Sequence, residues 1–256
     1  MRGRVVIPRS HAATWSGRIG ALSLPVLTLA SLGYRFGPIP DVAILPVLAL
    51  GFGLAIVSLC LAAYAFVSIW FTGGYGAGRA FSGVVFSLPA LAWLGLAGYG
   101  ASIAPQLSDI STDLVDPPAF TAAAIAPPTA GELAAQAKAY PDVGAHVFPI
   151  GPEQVYDAVE TLVQNRGWQI TADIPPDDGD ASRIEAVATS LVFGFRDDVV
   201  IRIERTAGGT RVDMRSRSRI GTHDLGTNAR RIKAFFGELD LLLEGGYTPD
   251  RSPARS

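Results

Sequence analysis

Three long apolar runs fill most of the first 104 residues of the chain. They cover Ile19–Tyr34, Val42–Phe71 and Gly83–Ala104, with Pro25 inside the first and Pro89 inside the third. A helix needs about 20 apolar residues to cross a hydrocarbon layer of about 30 Å. Proline is tolerated in such helices because neighbouring groups satisfy the freed carbonyl. The pattern therefore predicts a membrane anchor of three helical spans over residues 1–104, the first of them slightly short.

The pattern changes after residue 104. Residues 105–140 are rich in Pro, Ala, Ser, Thr and Asp, which predicts a linker, with a short helix over residues 131–139. Residues 141–247 carry the helical and alternating patterns of a water-soluble domain. Residues 248–256 are polar and are predicted to be a disordered tail.

The soluble domain is predicted to contain a helix, four strands and a second helix, in that order. The first helix begins at Pro152, the strands cover 168–174, 183–189 and two stretches joined at Gly208-Gly209, and the last helix covers 225–244. A turn is predicted over 175–180. The expected fold is α+β, with a four-stranded antiparallel sheet flanked by two helices in a helix-grip-like arrangement.

Charge divides the chain at the same place and predicts its orientation. Six arginines and one aspartate give residues 1–104 a formal charge of +5, and the remainder carries −7. Four arginines (Arg2, Arg4, Arg9 and Arg18) precede the first apolar run, and basic residues next to a first span favour the cytoplasm. Three spans then place the C-terminal domain outside, in the periplasm of a bacterium with an inner membrane. Failure of the first span to insert, or its cleavage as a signal peptide, would change this, but no convincing cleavage site precedes Tyr34.

Composition also narrows the classes of function. An acidic soluble domain argues against nucleic-acid binding, which needs a basic surface. The predicted spans contain no Asp, Glu, Lys, Arg or His, which argues against a transport subunit. Cys60 is the only cysteine, and His11 and His146 are isolated, so we predict no disulfide, metal site or cofactor.

Arginines alternate along the last predicted strand. Arg211, Arg215, Arg217 and Arg219 share one face, and we call them the arginine ladder. Like charges this close repel unless opposite charges neutralise them. One interpretation is a salt-bridge lattice with acids of neighbouring strands, which are Asp198, Glu204 and Glu185. The other is a site for an anionic ligand, because a guanidinium binds phosphate or carboxylate well.

Two acidic motifs each have a chemical and a structural interpretation, and the structural interpretation is favoured for both. Asp197 and Asp198 are adjacent in a strand and point to opposite faces, so they are expected to pair with arginines and not to share a metal. His223-Asp224 could act as a base with its orienting acid, with Ser216 and Ser218 as nucleophile candidates. No Gly-x-Ser-x-Gly motif accompanies them. Asp224 or Thr222 is therefore predicted to cap the last helix, with Asp224 preferred.

Four stretches of the chain resemble a known family. They are 112–120 with Asp116-Pro117-Pro118, 184–186 with Ile184-Glu185-Ala186, 195–202 with Phe195-Arg196-Asp197-Asp198, and 215–232 with Arg215-Ser216-Arg217-Ser218-Arg219. Together they resemble the bacterial domain-of-unknown-function family 1499 over about residues 105–244. The resemblance implies an envelope location and supports the domain boundaries, but it carries no established activity.

We therefore expect an inner-membrane protein that contacts the lipid bilayer and presents a periplasmic binding domain. Its ligand would be an envelope protein partner or an anionic lipid or small molecule. The alternative is an envelope hydrolase acting on an anionic substrate, and a binding role is favoured over an enzymatic one. The predicted contact residues are Arg215, Arg217, Arg219, Asp224, Asn228 and Arg231.

Overall fold

The computed structural model describes residues 9–121, 124–176 and 181–245, which form two compact units. The first unit is Met1–Gly100 together with Leu191–Gly194, and the second is Ala101–Ser190 together with the chain from Phe195 onward. Several predictions fall outside the described residues. These are the positions of Arg2 and Arg4, part of the turn over 175–180, and the tail over 248–256.

The first unit contains three helices that are long and apolar enough to cross a membrane. They are α1 (His11–Phe36), α2 (Asp41–Thr72) and α3 (Ala77–Ile103). This confirms three apolar helices and indicates membrane association. Helix α1 begins eight residues before the predicted apolar run, because the hydroxyl of Ser10 accepts a hydrogen bond from the Ala13 N–H and caps the helix start.

Small residues bring the three helices into close contact. The Ser16 hydroxyl donates to the Ser58 carbonyl at 3.0 Å, and the Ser58 hydroxyl donates to the Ser16 carbonyl at 2.9 Å. A Cβ atom at Gly83 would lie 1.8 Å from the Ser16 hydroxyl oxygen, and one at Gly51 would lie 2.5 Å from a Leu27 methyl group. Glycine at these two positions therefore permits the packing, as small residues commonly do between spans.

The second unit is built on an antiparallel sheet of six strands. They are β1 (Asp109–Ser111), β2 (His146–Phe148), β3 (Gln169–Ile174), β4 (Ser182–Thr189), β5 (Arg196–Thr206) and β6 (Gly209–Ser218). The order is β1-β6-β5-β4-β3, and β2 also pairs with β6, at residues 210–212. Strands β1 and β2 therefore lie one after the other along the same edge of β6.

The prediction of a four-stranded sheet was wrong, because it missed β1 and β2. Each has only three residues, too few to show alternation, and β1 lies within the stretch predicted as a linker. That stretch also contains helix α4 (Ala130–Ala139). The four longer strands lie where the pattern placed them.

Two amphipathic helices cover one face of the sheet. Helix α5 (Pro152–Asn165) and helix α6 (Thr227–Glu244) pack their apolar residues on that face. The largest fully buried side chains of this core include Phe235 of α6 and Ile201 and Met214 of the sheet. Burial of apolar surface between the two layers is the main stabilising contribution.

The opposite face of the sheet is polar, and the chain between β1 and α4 contacts it. We call residues 112–121 and 124–126 the crossing segment. Its Thr121 backbone N–H and hydroxyl both donate to the Glu185 carboxylate of β4, each at 2.6 Å. Glu185 is almost fully buried as a result. The arginine ladder lies on this covered polar face.

Candidate functional site

Alternation along β6 places its residues on two faces. Val212 and Met214 join the core beneath the helices, whereas Arg211, Asp213, Arg215 and Arg217 belong to the polar face. Strand β5 pairs with β6 over its whole length, so Arg202 lies beside Asp213. The polar face therefore contains several arginines and carboxylates in close contact.

Arg215 is enclosed by the crossing segment and β1. Its Nε and Nη2 atoms donate to the two carboxylate oxygens of Asp109 at 2.9 and 2.7 Å. Its guanidinium also donates to the carbonyls of Pro118 and Ala126 and lies 5.1 Å from the centre of the Phe120 ring. Only 1% of the residue is exposed. Arg215 is thus a buried arginine whose guanidinium is bound by groups of the protein itself.

A second group of charges surrounds Arg202. Its guanidinium donates to Asp116 at 2.7 Å and to Asp113 at 3.0 Å, and it lies 3.4 Å from Asp213. Arg211 donates to Asp213 at 2.7 Å and to Asp113 at 3.0 Å. Asp113 and Asp116 of this lattice belong to the crossing segment, so charge-assisted hydrogen bonds hold the crossing segment on the sheet.

Asp113 joins two of these arginines, and its pKa lies below the ordinary value of 3.8. Burial raises the pKa, but this effect is outweighed. Hydrogen bonds from the backbone N–H groups of Asp116 and Val115, and the charges of Arg211 and Arg202, all lower it. The ionised carboxylate is therefore the form that the fold stabilises.

The last two ladder arginines lie outside the covered area. Arg219 makes a bidentate ion pair with Asp198, with contacts of 2.6 to 3.0 Å. Arg217 lies 3.8 Å from Asp109, whose carboxylate already accepts two bonds from Arg215, and 40% of its side chain is exposed. Arg217 is thus the ladder arginine with the longest ion pair and a guanidinium accessible to a ligand.

The charges of the ladder also affect the pKa of Glu132, at the start of α4. Its pKa is lowered first by hydrogen bonds from the Thr129 backbone N–H and hydroxyl to its carboxylate. The Glu132 N–H in turn donates to the Thr129 hydroxyl, which completes a capping box. Burial raises it, and the charges of Arg217 and Arg215 lower it further. Arg217 therefore lies near the carboxylate of Glu132.

The remaining predicted contact residues lie on the helix side of β6. The Asn228 side chain accepts from the Ser216 hydroxyl at 2.8 Å and donates to the Ser218 hydroxyl at 3.0 Å. Arg231 donates to Ser216 at 2.8 Å and makes an ion pair with Asp197. Burial raises the pKa of Asp197, and this outweighs the lowering by the Arg231 charge.

The structure therefore does not bring the six predicted contact residues into one site. Arg215 and Arg217 lie on the polar face of β6, whereas Asn228 and Arg231 bind serines that point to the opposite face. The two adjacent acids of β5 show the same division, since Asp197 pairs with Arg231 and Asp198 with Arg219. Ser216 and Ser218 use their hydroxyl groups in this helix-side network.

Asp224 organises the start of α6. Its carboxylate accepts hydrogen bonds from the backbone N–H groups of Gly226 at 2.8 Å and Asn228 at 2.7 Å, so it stabilises the helix start, although the N-cap residue is Gly226. The chain turns there through left-handed φ angles of 57° at Leu225 and 74° at Gly226. His223 accepts the Leu225 N–H at Nδ1, and its other ring nitrogen lies 3.2 Å from the Ala101 carbonyl.

One cavity is lined by residues for which no functional role was predicted. It has a volume of about 220 Å³ and lies beside His146, Lys233 and Asp240. His146 stacks on Phe236 at 4.2 Å between ring centres and contacts Asp240 at 3.0 Å. Sequence spacing gave no signal for this cluster, because β2 and α6 are far apart along the chain.

Among the described residues, no group of three His, Cys, Asp or Glu side chains could hold a metal ion.

Fold and site together define a membrane-associated protein that carries an α+β domain with a charge lattice on the covered face of its sheet. The chain belongs to the family described as Protein of unknown function (DUF1499). The family model matches residues 109–239, just over half of the chain, from β1 to near the end of α6. No curated protein matches the chain.

Proposed function

We propose that this protein is anchored in the bacterial inner membrane with its N-terminus in the cytoplasm. The C-terminal domain is then periplasmic and binds the anionic group of an envelope amphiphile. The three apolar helices support the anchor. The four arginines within the first 18 residues, and the lack of any basic residue between Arg79 and Lys138, support the orientation.

The half-exposed side chain of Arg217, with its long ion pair, is the observation that carries the binding proposal. Arg211, Arg215 and Arg219 have carboxylate contacts of 3.0 Å or shorter, whereas the ion pair of Arg217 is 3.8 Å long. An anionic headgroup could therefore approach Arg217 without displacing a tight ion pair. A planar guanidinium binds phosphate or carboxylate oxygens in a bidentate manner.

A lipid is favoured as the source of the anion because the domain is tethered to a membrane. Tethering raises the effective concentration of any ligand that is held in the same bilayer. A single half-exposed arginine would give only weak binding to a dilute anion in solution, since exposed charge pairs are worth about 0–1 kcal/mol. Weak headgroup contacts become sufficient when the ligand is already nearby.

The proposal is tested by native mass spectrometry of the full chain in detergent with added lipid. Phosphatidylglycerol and phosphatidylcholine with the same acyl chains are compared for the wild type, Arg217→Glu and Arg205→Glu. Arg205 is an exposed arginine at the far end of β5, where it pairs with Glu153, so it is a matched control. We expect a preference for the anionic lipid in the wild type and Arg205→Glu, and its loss in Arg217→Glu.

Equal retention of the anionic lipid by all three proteins would contradict the proposal. A different result is that none of them prefers the anionic lipid, but Arg217→Glu alone loses a crosslink to another envelope protein in cells. The surface around Arg217 then binds a protein partner and not a lipid. Limited proteolysis of each variant checks that the domain remains folded.

A further inference from the structure

A short apolar segment belongs to the helical unit although it lies between two strands in the sequence. Leu191–Gly194 connects β4 to β5 and is grouped with the three long helices. Leu191 is 87% exposed and Val192 is 60% exposed, whereas Phe193 is buried. Exposed apolar side chains at a loop tip are unfavourable in water and favourable in lipid.

Aromatic contacts attach this segment to the helices. The Phe193 ring lies edge-on to Trp93 of α3, with 4.3 Å between the ring centres, and also contacts Phe52 of α2 at 6.2 Å. Phe52 and Trp93 are themselves stacked at 5.7 Å. Aromatic pairs in these geometries are favourable beyond their buried area.

Helix α1 supplies hydrogen-bond donors for the carbonyl groups of the segment. The Ser31 hydroxyl donates to the Val192 carbonyl, and the Arg35 guanidinium donates to the Leu191 carbonyl at 2.7 Å. Irregular backbone at membrane depth is tolerated only where its polar groups are satisfied. These two bonds meet that requirement for two consecutive carbonyl groups.

The segment and the helices enclose a cavity of about 410 Å³. Its lining is predominantly apolar and includes Leu24, Leu27, Phe52, Trp93 and Phe193. Binding sites for small molecules usually have volumes of about 300–1,000 Å³ and predominantly apolar walls. The cavity is not enclosed, so a flexible chain can enter it from the surrounding medium.

The position of the cavity along α3 indicates which medium surrounds the cavity. Trp93 precedes Ile103, the end of α3, by ten residues, which is about 15 Å of helix. Half of a hydrocarbon layer is also about 15 Å thick. With Ile103 at the edge of the hydrocarbon layer, the cavity would lie inside that layer, at the depth of the acyl chains.

We infer that this cavity binds one acyl chain of a bilayer lipid, and that Leu191–Gly194 forms one wall of the site. The inference does not depend on Arg217. The occupant is an aliphatic chain because the cavity walls are apolar and the membrane is the only medium at that depth.

Photolabelling of the full chain in dioleoylphosphatidylcholine vesicles tests the inference. A small fraction of the lipid carries a diazirine on one acyl chain, and adducts are located by mass spectrometry after irradiation. Ala90 lines the cavity, so Ala90→Phe should fill it. Ala92, two residues further along α3, is exposed and outside the lining, which makes Ala92→Phe the matched control.

We expect adducts at Trp93 and Phe193 to exceed those at Leu96, an exposed residue of the same helix. This enrichment should fall several-fold in Ala90→Phe and persist in Ala92→Phe. Equal labelling of Leu96 and Phe193 in the wild type would overturn the inference, as would undiminished enrichment in a folded Ala90→Phe. If Ala90→Phe does not fold, the comparison of Phe193 and Trp93 with Leu96 in the wild type decides whether the inference holds.

Discussion

Arg215 and Arg217 are two residues apart on the same face of β6 and have different surroundings. The carbonyls of Pro118 and Ala126 and the ring of Phe120 enclose Arg215, whereas Arg217 remains half-exposed. The sequence predicted that both lie on one face, because alternation is local. It could not predict their different burial, because the covering residues lie about 90 to 100 positions earlier in the chain.

Replacement of Arg215 should test the buried ion pair. Removing one partner of a buried pair leaves an uncompensated charge, so Arg215→Met should lower the free energy of unfolding by about 3–5 kcal/mol. Arg217→Met removes a half-exposed charge and should change it by about 0–1 kcal/mol. Urea unfolding of the detergent-solubilised full chain, monitored by pulse proteolysis, measures both. Equal losses would show that Arg215 is not the buried member of the ladder.

Asp113 should make the domain sensitive to acid. Its pKa in the fold lies below 3.8, so its ionised form contributes stability above that pH. The contribution is lost as the pH falls through the lowered pKa. Asp113→Asn should therefore be less stable than the wild type at neutral pH, with the difference shrinking in acid. Urea unfolding with thermolysin at neutral pH and pepsin in acid measures the dependence. A difference that stays constant or grows in acid would contradict this assignment.

Short elements determine how the edge and the polar face of the sheet are covered. The longer strands and α5 were predictable because their patterns extend over many residues. Strands β1 and β2 were not, because three residues show no period. Two of the acids predicted to neutralise the ladder do so, since Asp198 pairs with Arg219 and Glu204 lies opposite Arg211. Two further acids, Asp109 and Asp113, pair with Arg215 and Arg211 and come from the stretch predicted as a linker.

Gln136 of α4 should be important for holding β1. Its side-chain amide donates to the Ser111 carbonyl at 2.5 Å and accepts from the Ser111 N–H at 3.0 Å, like a neighbouring strand. Gln136→Leu leaves both backbone groups buried without these partners, so we expect a loss of about 1–3 kcal/mol. Gln164→Leu is the control, because Gln164 is exposed on α5 and its side chain donates to Glu160 of the same helix. A comparable effect of both changes would exclude this role.

At the scale of the whole molecule, the chain combines a helical unit that fits a membrane with a sheet domain that has its own core. Hydropathy predicted the three helices well because a span needs an apolar surface along its whole length. The aromatic contacts of Leu191–Gly194 gave no such signal, since they depend on tertiary packing. The proposed orientation depends on the N-terminal arginines and on the number of spans.

Labelling of single cysteines tests most directly whether the C-terminal domain lies across the membrane from the N-terminus. Cys60, the only cysteine, is first replaced by serine. New cysteines are then placed at Ala207, exposed at the turn between β5 and β6, and at Gly78, where a side chain has open space near the start of α3.

Spheroplasts are treated with a membrane-impermeant maleimide before and after lysis. The three-span orientation predicts that Ala207→Cys is labelled in intact spheroplasts and that Gly78→Cys is labelled only after lysis. Labelling of Gly78→Cys before lysis, with Ala207→Cys protected, would contradict the orientation and place the binding domain in the cytoplasm.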